Sequence, residues 1–99
     1  MNKEQIIDYI EFNYPDHAEG ILIVDGFDEA FLGIVESFGK NPVSCYNHEK
    51  CINIIAFPNG DRTNADKKLE EAEEYFSYNV LGAYVGEYTP VFLYSKYVV

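Results

Sequence analysis

The chain is poor in positive charge and has no long apolar run. It contains no tryptophan, two cysteines, and seven basic against 17 acidic residues, for a net charge of −10. The negative electrostatic field of such a protein repels phosphate backbones and anionic lipids, so we expect no direct nucleic-acid binding and no membrane binding. No stretch approaches the roughly 20 apolar residues that cross a bilayer. Because the first residues also lack the pattern of a signal peptide, we expect a cytoplasmic protein.

Catalytic and metal-binding signatures are also scarce. Cys45, His48 and Cys51 have the spacing Cys-x₂-His-x₂-Cys, which could supply three zinc ligands, but structural zinc motifs bring four. The alternative is two buried cysteines that pack as small apolar residues, with one surface histidine. A Cys/His nucleophile pair would lack a third, orienting group. Phosphate-binding glycine motifs are missing. We predict no catalytic residue, no metal ligand and no cofactor.

Apolar periodicity predicts one α+β domain over residues 1–99. The expected order is α-β-β-β-α-α-β, with about three helices covering one face of a mostly antiparallel sheet of about four strands. Asn2 and Gln5 predict a capping box, Asn47 can cap the second helix, and Gly33 indicates a β-bulge or a close approach of another segment. The last helix has an apolar stripe that consists of Ala65, Leu69, Ala72, Phe76 and Val80. Gly82 is expected to end the last helix. The predicted helices span 2–13, 48–56 and 64–80, and the predicted strands span 21–24, 30–38, 43–46 and 89–98.

Carboxylates cluster in two places, and each cluster has two interpretations. Asp25, Asp28 and Glu29 follow a predicted buried strand, where they could hold a hard cation or shift one another's pKa. An acidic turn that caps the strand is the simpler alternative. The second cluster lies on the last helix, where it is either a solvated face or a mimic of nucleic-acid phosphates. It consists of Glu70, Glu71, Glu73 and Glu74.

The segment after that helix has more turn residues than one helix end needs. Exposed backbone amides at Gly82 and Gly86 could bind an anion or a carbonyl group of a partner. In the structural alternative, the glycines turn the chain and neighbouring polar side chains bond to free backbone groups. The candidate binding residues of this segment are Asn79, Tyr84, Glu87 and Thr89.

Over residues 21–93 the chain resembles a widespread group of small, mostly uncharacterised proteins of tailed bacteriophages and prophages. The specific part of the similarity is the pattern AEEYFxxNVxGAYVGExTPVF over residues 72–92. The resemblance implies an accessory or host-interaction factor in the host cytoplasm, one that blocks a defence system or redirects a host enzyme. It implies no activity and no cofactor. The weaker matches are GFDEA at 26–30, Gly33, Phe38, Gly39, Pro42, Tyr46, Asn47 and Lys50.

Two hypotheses of function follow. In the first, the protein binds a host protein with a basic surface and inhibits it, with exposed tyrosines as anchors and carboxylates steering association. In the second, the domain binds a small molecule, a nucleotide or a divalent metal through carboxylates around Asp25 and Glu87, with Asp28 and Asn79 in the same pocket. The aromatic final strand, 91–99, could form a homodimer if it is an exposed edge; in the alternative, the edge is covered within the fold.

Overall fold

The computed structural model describes residues 1–84 and 86–95 and has an α+β architecture. Within those ranges three α-helices accompany one three-stranded sheet, and no helix is long and apolar enough to cross a membrane. The elements in chain order are α1 (Lys3–Asn13), a 3₁₀ turn (Asp28–Ala30), β1 (Phe31–Val35), β2 (Val43–Asn47), α2 (His48–Ala56), α3 (Ala65–Phe76), a π-helical segment (Ser77–Leu81) and β3 (Val91–Leu93).

Strand β2 is the centre of the sheet, whose order is β1-β2-β3. It pairs antiparallel with β1, from Phe31 opposite Tyr46 to Val35 opposite Val43. The pairing shifts register between Phe31 and Gly33, and Gly33 has φ 146°, so the predicted bulge is confirmed. On its other side β2 pairs parallel with β3. Four of the five residues of β2 are buried, as expected for a central strand.

The prediction of about four strands is wrong, because residues 21–24 form no strand. The backbone of this segment bonds to side chains of β2 rather than to a neighbouring strand. Ser44 donates its hydroxyl hydrogen to the carbonyl of Leu22 at 2.6 Å, and the N–H of Val24 donates to the hydroxyl of Tyr46 at 2.9 Å. An apolar run predicts burial correctly but does not reveal which groups satisfy its backbone.

The prediction of a mostly antiparallel sheet is also wrong, since one of the two strand pairs is parallel. The chain crosses from β2 to β3 through both α2 and α3, a connection long enough for parallel pairing. The predicted last strand, 89–98, is reduced to Val91–Leu93 among the described residues, and residues 96–98 lie outside them. The rest of the predicted order is close to the observed one.

Local helix signals were mostly read correctly. The capping box is present, with Asn2 and Gln5 each accepting the other's backbone N–H at 2.9 Å. Asn47 caps α2 by accepting the N–H of Lys50 at 2.8 Å. Gly82, in contrast, has φ −89° and is not the left-handed residue that a glycine helix end usually is. Helix α3 passes into the π-helical segment before it ends.

The core consists of two clusters that meet at Phe31. The smaller one packs α1 against the 21–24 segment through Ile6, Ile10 and Ile21. The larger one packs α2 and α3 against the sheet, around Tyr46 and Phe76, both fully buried. The predicted apolar stripe faces this cluster and consists of Ala65, Leu69, Ala72 and Phe76 of α3 and Val80 of the π-helical segment.

The Tyr46→Phe substitution should destabilise the protein. It removes the acceptor of the Val24 N–H, and an unsatisfied buried donor costs about 1–3 kcal/mol. The free energy of unfolding from urea titration measures the effect. Tyr78→Phe is the matched control: this ring is 84% exposed, so the change should stay within about 0.5 kcal/mol. Equal losses in the two variants would contradict the assigned role of Tyr46.

The Tyr46→Phe variant also tests how the stability of the fold depends on alkaline pH. Burial raises the pKa of the Tyr46 hydroxyl from 10.0 to about 12, and that of the Cys51 thiol from 9.0 to about 12. The unfolded chain therefore loses these protons at lower pH than the folded protein, so stability should fall as pH rises through this window. Between 10 and about 12 the fall should be smaller in Tyr46→Phe. Identical pH profiles would contradict this origin.

Candidate functional site

Helix α3 and the π-helical segment present carboxylates and aromatic rings to solvent. Glu70, Glu71 and Glu74 are exposed. Tyr75 is 52% and Tyr78 is 84% exposed. Spacings of three and four residues place these side chains on neighbouring positions of one helical surface. We call this surface the α3 face and define it as Glu70, Glu71, Glu74, Tyr75 and Tyr78.

The carboxylates of the α3 face repel one another. Glu70 and Glu74 are four residues apart, and Glu71 and Glu74 are three apart, spacings at which like charges destabilise a helix. The last turn of α3 contains no basic residue, although cations are favoured at that end of a helix. None of the three carboxylates has an ion pair with a residue in 1–84 or 86–95. The repulsion at Glu74 is therefore not offset by an ion pair in the described part of the chain, although Lys67 lies three residues before Glu70 and four before Glu71.

Glu73 differs from the other glutamates of the helix because it contacts the interior. Its Oε2 atom lies 3.2 Å from Nε2 of His48, and Oε1 of Glu49 lies 3.1 Å from Nδ1 of the same ring. His48 is 4% exposed and stacks on Tyr94, with ring centroids 3.8 Å apart. A doubly protonated imidazole can donate to both carboxylates. Glu73 thus links α3 to the start of α2.

The cysteine–histidine trio does not form a shared site. His48 directs its two ring nitrogens to carboxylates. Cys51 is buried in the larger core cluster, while Cys45 lies on β2, and burial raises the pKa of both thiols. Within residues 1–84 and 86–95, no three His, Cys, Asp or Glu side chains are grouped so as to hold a metal ion.

The candidate binding residues between 79 and 90 form hydrogen bonds mainly to other groups of the protein. Asn79 donates its side-chain N–H to the carbonyl of Tyr75 at 3.2 Å, and Thr89 donates its hydroxyl hydrogen to the carbonyl of Gly86 at 2.9 Å. Glu87 accepts the side-chain N–H of Asn41 at 3.3 Å. Tyr84 is partly buried against the larger core cluster. These contacts fit the structural interpretation of the turn.

Two further contacts hold this turn on the body of the protein. The Tyr88 hydroxyl lies 2.9 Å from Nδ1 of His17. The Tyr88 ring also lies so close to Gly20 that a Cβ atom at that position would collide with it. The turn is therefore anchored to the connection that follows α1, and a glycine at position 20 makes the close approach feasible.

The first acidic cluster is divided between two environments. Asp25 forms an exposed ion pair with Lys3, at 2.8 Å between Oδ1 and Nζ. Asp28 and Glu29 instead line an open cleft of ≈ 720 Å³. The structure therefore does not bring Asp25, Asn79 and Glu87 into this cleft with Asp28, as judged from the described residues.

Sequence reasoning missed the basic side of this cleft. Lys50 from α2 and Arg62 from the loop after α2 line it together with Asp28 and Glu29. These residues come close only through the packing of α2 beside the 3₁₀ turn, which no local pattern indicates. One signal was available: Arg62 is the single arginine of the chain, and arginine is suited to binding anionic groups.

Strand β3 lies at an edge of the sheet. Val91, Leu93 and the neighbouring Tyr94 are exposed there. An open edge strand offers unpaired backbone groups to a second chain. Homodimerisation through this strand stays a prediction.

Comparisons of the chain with protein-family models, with curated proteins and with solved structures found no match. The similarity to phage and prophage proteins therefore stays a prediction from the sequence pattern. The surfaces described above are therefore the basis for a proposed function.

Glu73→Gln should destabilise the protein more than Glu74→Gln. The first change weakens a charge-assisted hydrogen bond to His48, and the half-exposed position limits the loss to about 1 kcal/mol or less. The second change removes one member of two like-charge pairs and should be neutral or slightly stabilising. Urea titration of both variants at neutral pH measures the difference. A greater loss in Glu74→Gln would contradict the assignment of Glu73 to the interior.

Proposed function

We propose that the protein acts by stoichiometric binding to a protein with a basic surface, and that the α3 face forms the contact. The observation that carries this proposal is the combination, on one helical surface, of exposed tyrosines with carboxylates that form no ion pair with the described residues. An arrangement that costs helix stability is more readily explained by binding than by solubility. A net charge of −10 already provides solubility.

The two kinds of side chain have different roles in this proposal. Tyr75 and Tyr78 offer large, rigid rings with a polar tip, which are favourable anchors at a protein interface. Glu70, Glu71 and Glu74 attract a basic partner over distance and speed the encounter. Glu73 contributes mainly to the fold, since it bonds to His48.

The biological setting of the proposal comes from the resemblance to phage and prophage proteins. It favours a host protein as the partner, the host cytoplasm as the location, and inhibition of a host defence or metabolic function as the outcome. Carboxylates that imitate phosphates would occupy a basic groove that otherwise binds nucleic acid. The small-ligand hypothesis around Asp25 and Glu87 gains less support, because these side chains bond to Lys3 and Asn41.

A combined Glu70, Glu71 and Glu74→Gln variant should bind more slowly. The partner is first isolated from a bacterial lysate with the tagged wild-type protein, at about 50 mM and about 500 mM salt. Association rates are then measured by surface plasmon resonance. We expect a loss of about tenfold at low salt, with a weaker salt dependence, because steering charges act mainly on association.

The matched control replaces Glu4, Glu11 and Glu19 by Gln. All three are exposed and lie outside α3, so the net charge changes equally while the α3 face is kept. Association close to that of the wild type is expected for this control. Equal slowing in both variants would show that net charge, not the α3 face, is responsible. If the wild type retains no stoichiometric protein at either salt concentration, the proposal fails.

Tyr78→Ala should accelerate dissociation of the same complex. Removal of a buried aromatic anchor typically costs about 2 kcal/mol or more at an interface, which corresponds to more than about tenfold in affinity. Phe12→Ala is the control, because Phe12 is 86% exposed but lies on α1. Dissociation rates are read from the same sensorgrams. An unchanged rate in Tyr78→Ala would remove this ring from the interface.

A further inference from the structure

The cleft between the 3₁₀ turn, α2 and the loop after α2 has properties that protein binding by the α3 face does not explain. Its volume of ≈ 720 Å³ lies within the range of about 300–1,000 Å³ that is usual for small-molecule sites. Ile54, Phe57 and Pro58 give it an apolar lining, and charged side chains lie beside them. That combination is typical of pockets that hold small polar molecules with an apolar part.

The charges of the cleft are balanced and unpaired. Asp28, Glu29, Lys50 and Arg62 all line the cleft, so its local formal charge sums to zero on a chain whose net charge is −10. None of the four forms an ion pair with another residue in the described part of the chain. Two of the seven basic side chains thus line the cleft without an ion pair to the described residues, which leaves both charge types available to a ligand.

Asp28 carries an unmet hydrogen-bonding requirement. Its Oδ1 atom is buried and receives no hydrogen bond from the described residues. A carboxylate that has lost water without gaining a donor is destabilising. Oδ1 itself stays buried, but a cation bound at the part of Asp28 that lines the cleft would stabilise the negative charge of the carboxylate.

Arg62 is held in position by an aromatic ring. Its Cζ atom lies 4.3 Å from the centroid of the Phe57 ring, a distance at which the cation is attracted to the ring. When the flat face of a guanidinium group lies on an aromatic ring, the N–H donors at the edge of the guanidinium group stay free to bind a ligand. Such an edge matches the two oxygens of a carboxylate.

We propose that this cleft binds a free α-amino acid with an apolar side chain. Its ammonium group pairs with Asp28 and Glu29, and its carboxylate pairs with Arg62 and Lys50. Its side chain contacts the apolar lining at Phe57. A zwitterion can pair with the carboxylates and with the cations of the cleft at the same time. Because it has no net charge, the acidic protein does not repel it. A nucleotide would be repelled by that field and would leave the two carboxylates unpaired.

Titration of the ¹⁵N-labelled full chain tests this inference by two-dimensional NMR. The first probe is a mixture of the apolar L-α-amino acids, each at about 5 mM, which detects dissociation constants in the millimolar range. We expect saturable shifts of backbone amides at 26–29, 50–54, 57 and 59–62, with α3 unaffected. No shift with the mixture would overturn the proposal.

The amino acid that binds best is then compared with its own masked forms. Its amide keeps only the positive charge, and its N-acetyl form keeps only the negative charge. Each should bind at least about tenfold more weakly, because one charge-assisted contact is lost. Adenosine monophosphate and inorganic phosphate serve as anionic probes. Binding of either anion as tight as that of the amino acid would overturn the proposal.

Arg62→Gln and Asp28→Asn should each weaken binding about tenfold or more. Lys67→Gln is the matched control, since this exposed lysine does not line the cleft, and its affinity should equal that of the wild type. The NMR spectrum of each variant shows whether it is folded. Unchanged affinity in a folded Arg62→Gln protein would contradict the assigned carboxylate contact. The outcome does not depend on whether the α3 face binds a protein.

Discussion

The fold depends on two hydrogen bonds from the central strand to a segment that is not itself a strand. Ser44 and Tyr46 point from β2 to the backbone of Leu22 and Val24. These bonds satisfy buried backbone groups that a sheet would otherwise pair. They also bring the smaller core cluster around α1 against the larger one. Asn47, next in sequence, caps α2. Residues 44–47 of β2 thus contact both the 21–24 segment and α2.

The carboxylates likewise divide into those that form structural contacts and those that a ligand could contact. Among the glutamates of α3, Glu73 is the one that bonds to a buried side chain of the described residues, His48, whereas Glu70, Glu71 and Glu74 are exposed. In the first acidic cluster, Asp25 is paired with Lys3, while Oδ1 of Asp28 has no donor among the described residues. Proximity in sequence therefore does not imply a shared role. Each cluster of acids contains residues with structural contacts and residues that a ligand could use.

The sequence predicted what depends on neighbouring residues. Capping at Asn2 and Asn47, the bulge at Gly33 and the apolar stripe of α3 were all readable, because each reflects interactions within a few residues. The parallel pairing of β2 with β3 and the side-chain bonds of residues 21–24 were not readable, since they join distant parts of the chain. The cleft itself was not predicted: its carboxylates, Asp28 and Glu29, form a local cluster that the sequence shows, but its cations come from α2 and the loop after it.

The parallel pairing of β2 and β3 has a consequence for the order of folding. Cys45 pairs with Val91, so nearly half the chain must be arranged before this part of the sheet can close. The hairpin of β1 and β2 and the packing of α2 on α3 involve shorter loops and less entropy loss. They are expected to form early, with β3 joining in a later, slower step. Until it joins, one edge of the buried strand β2 has no partner.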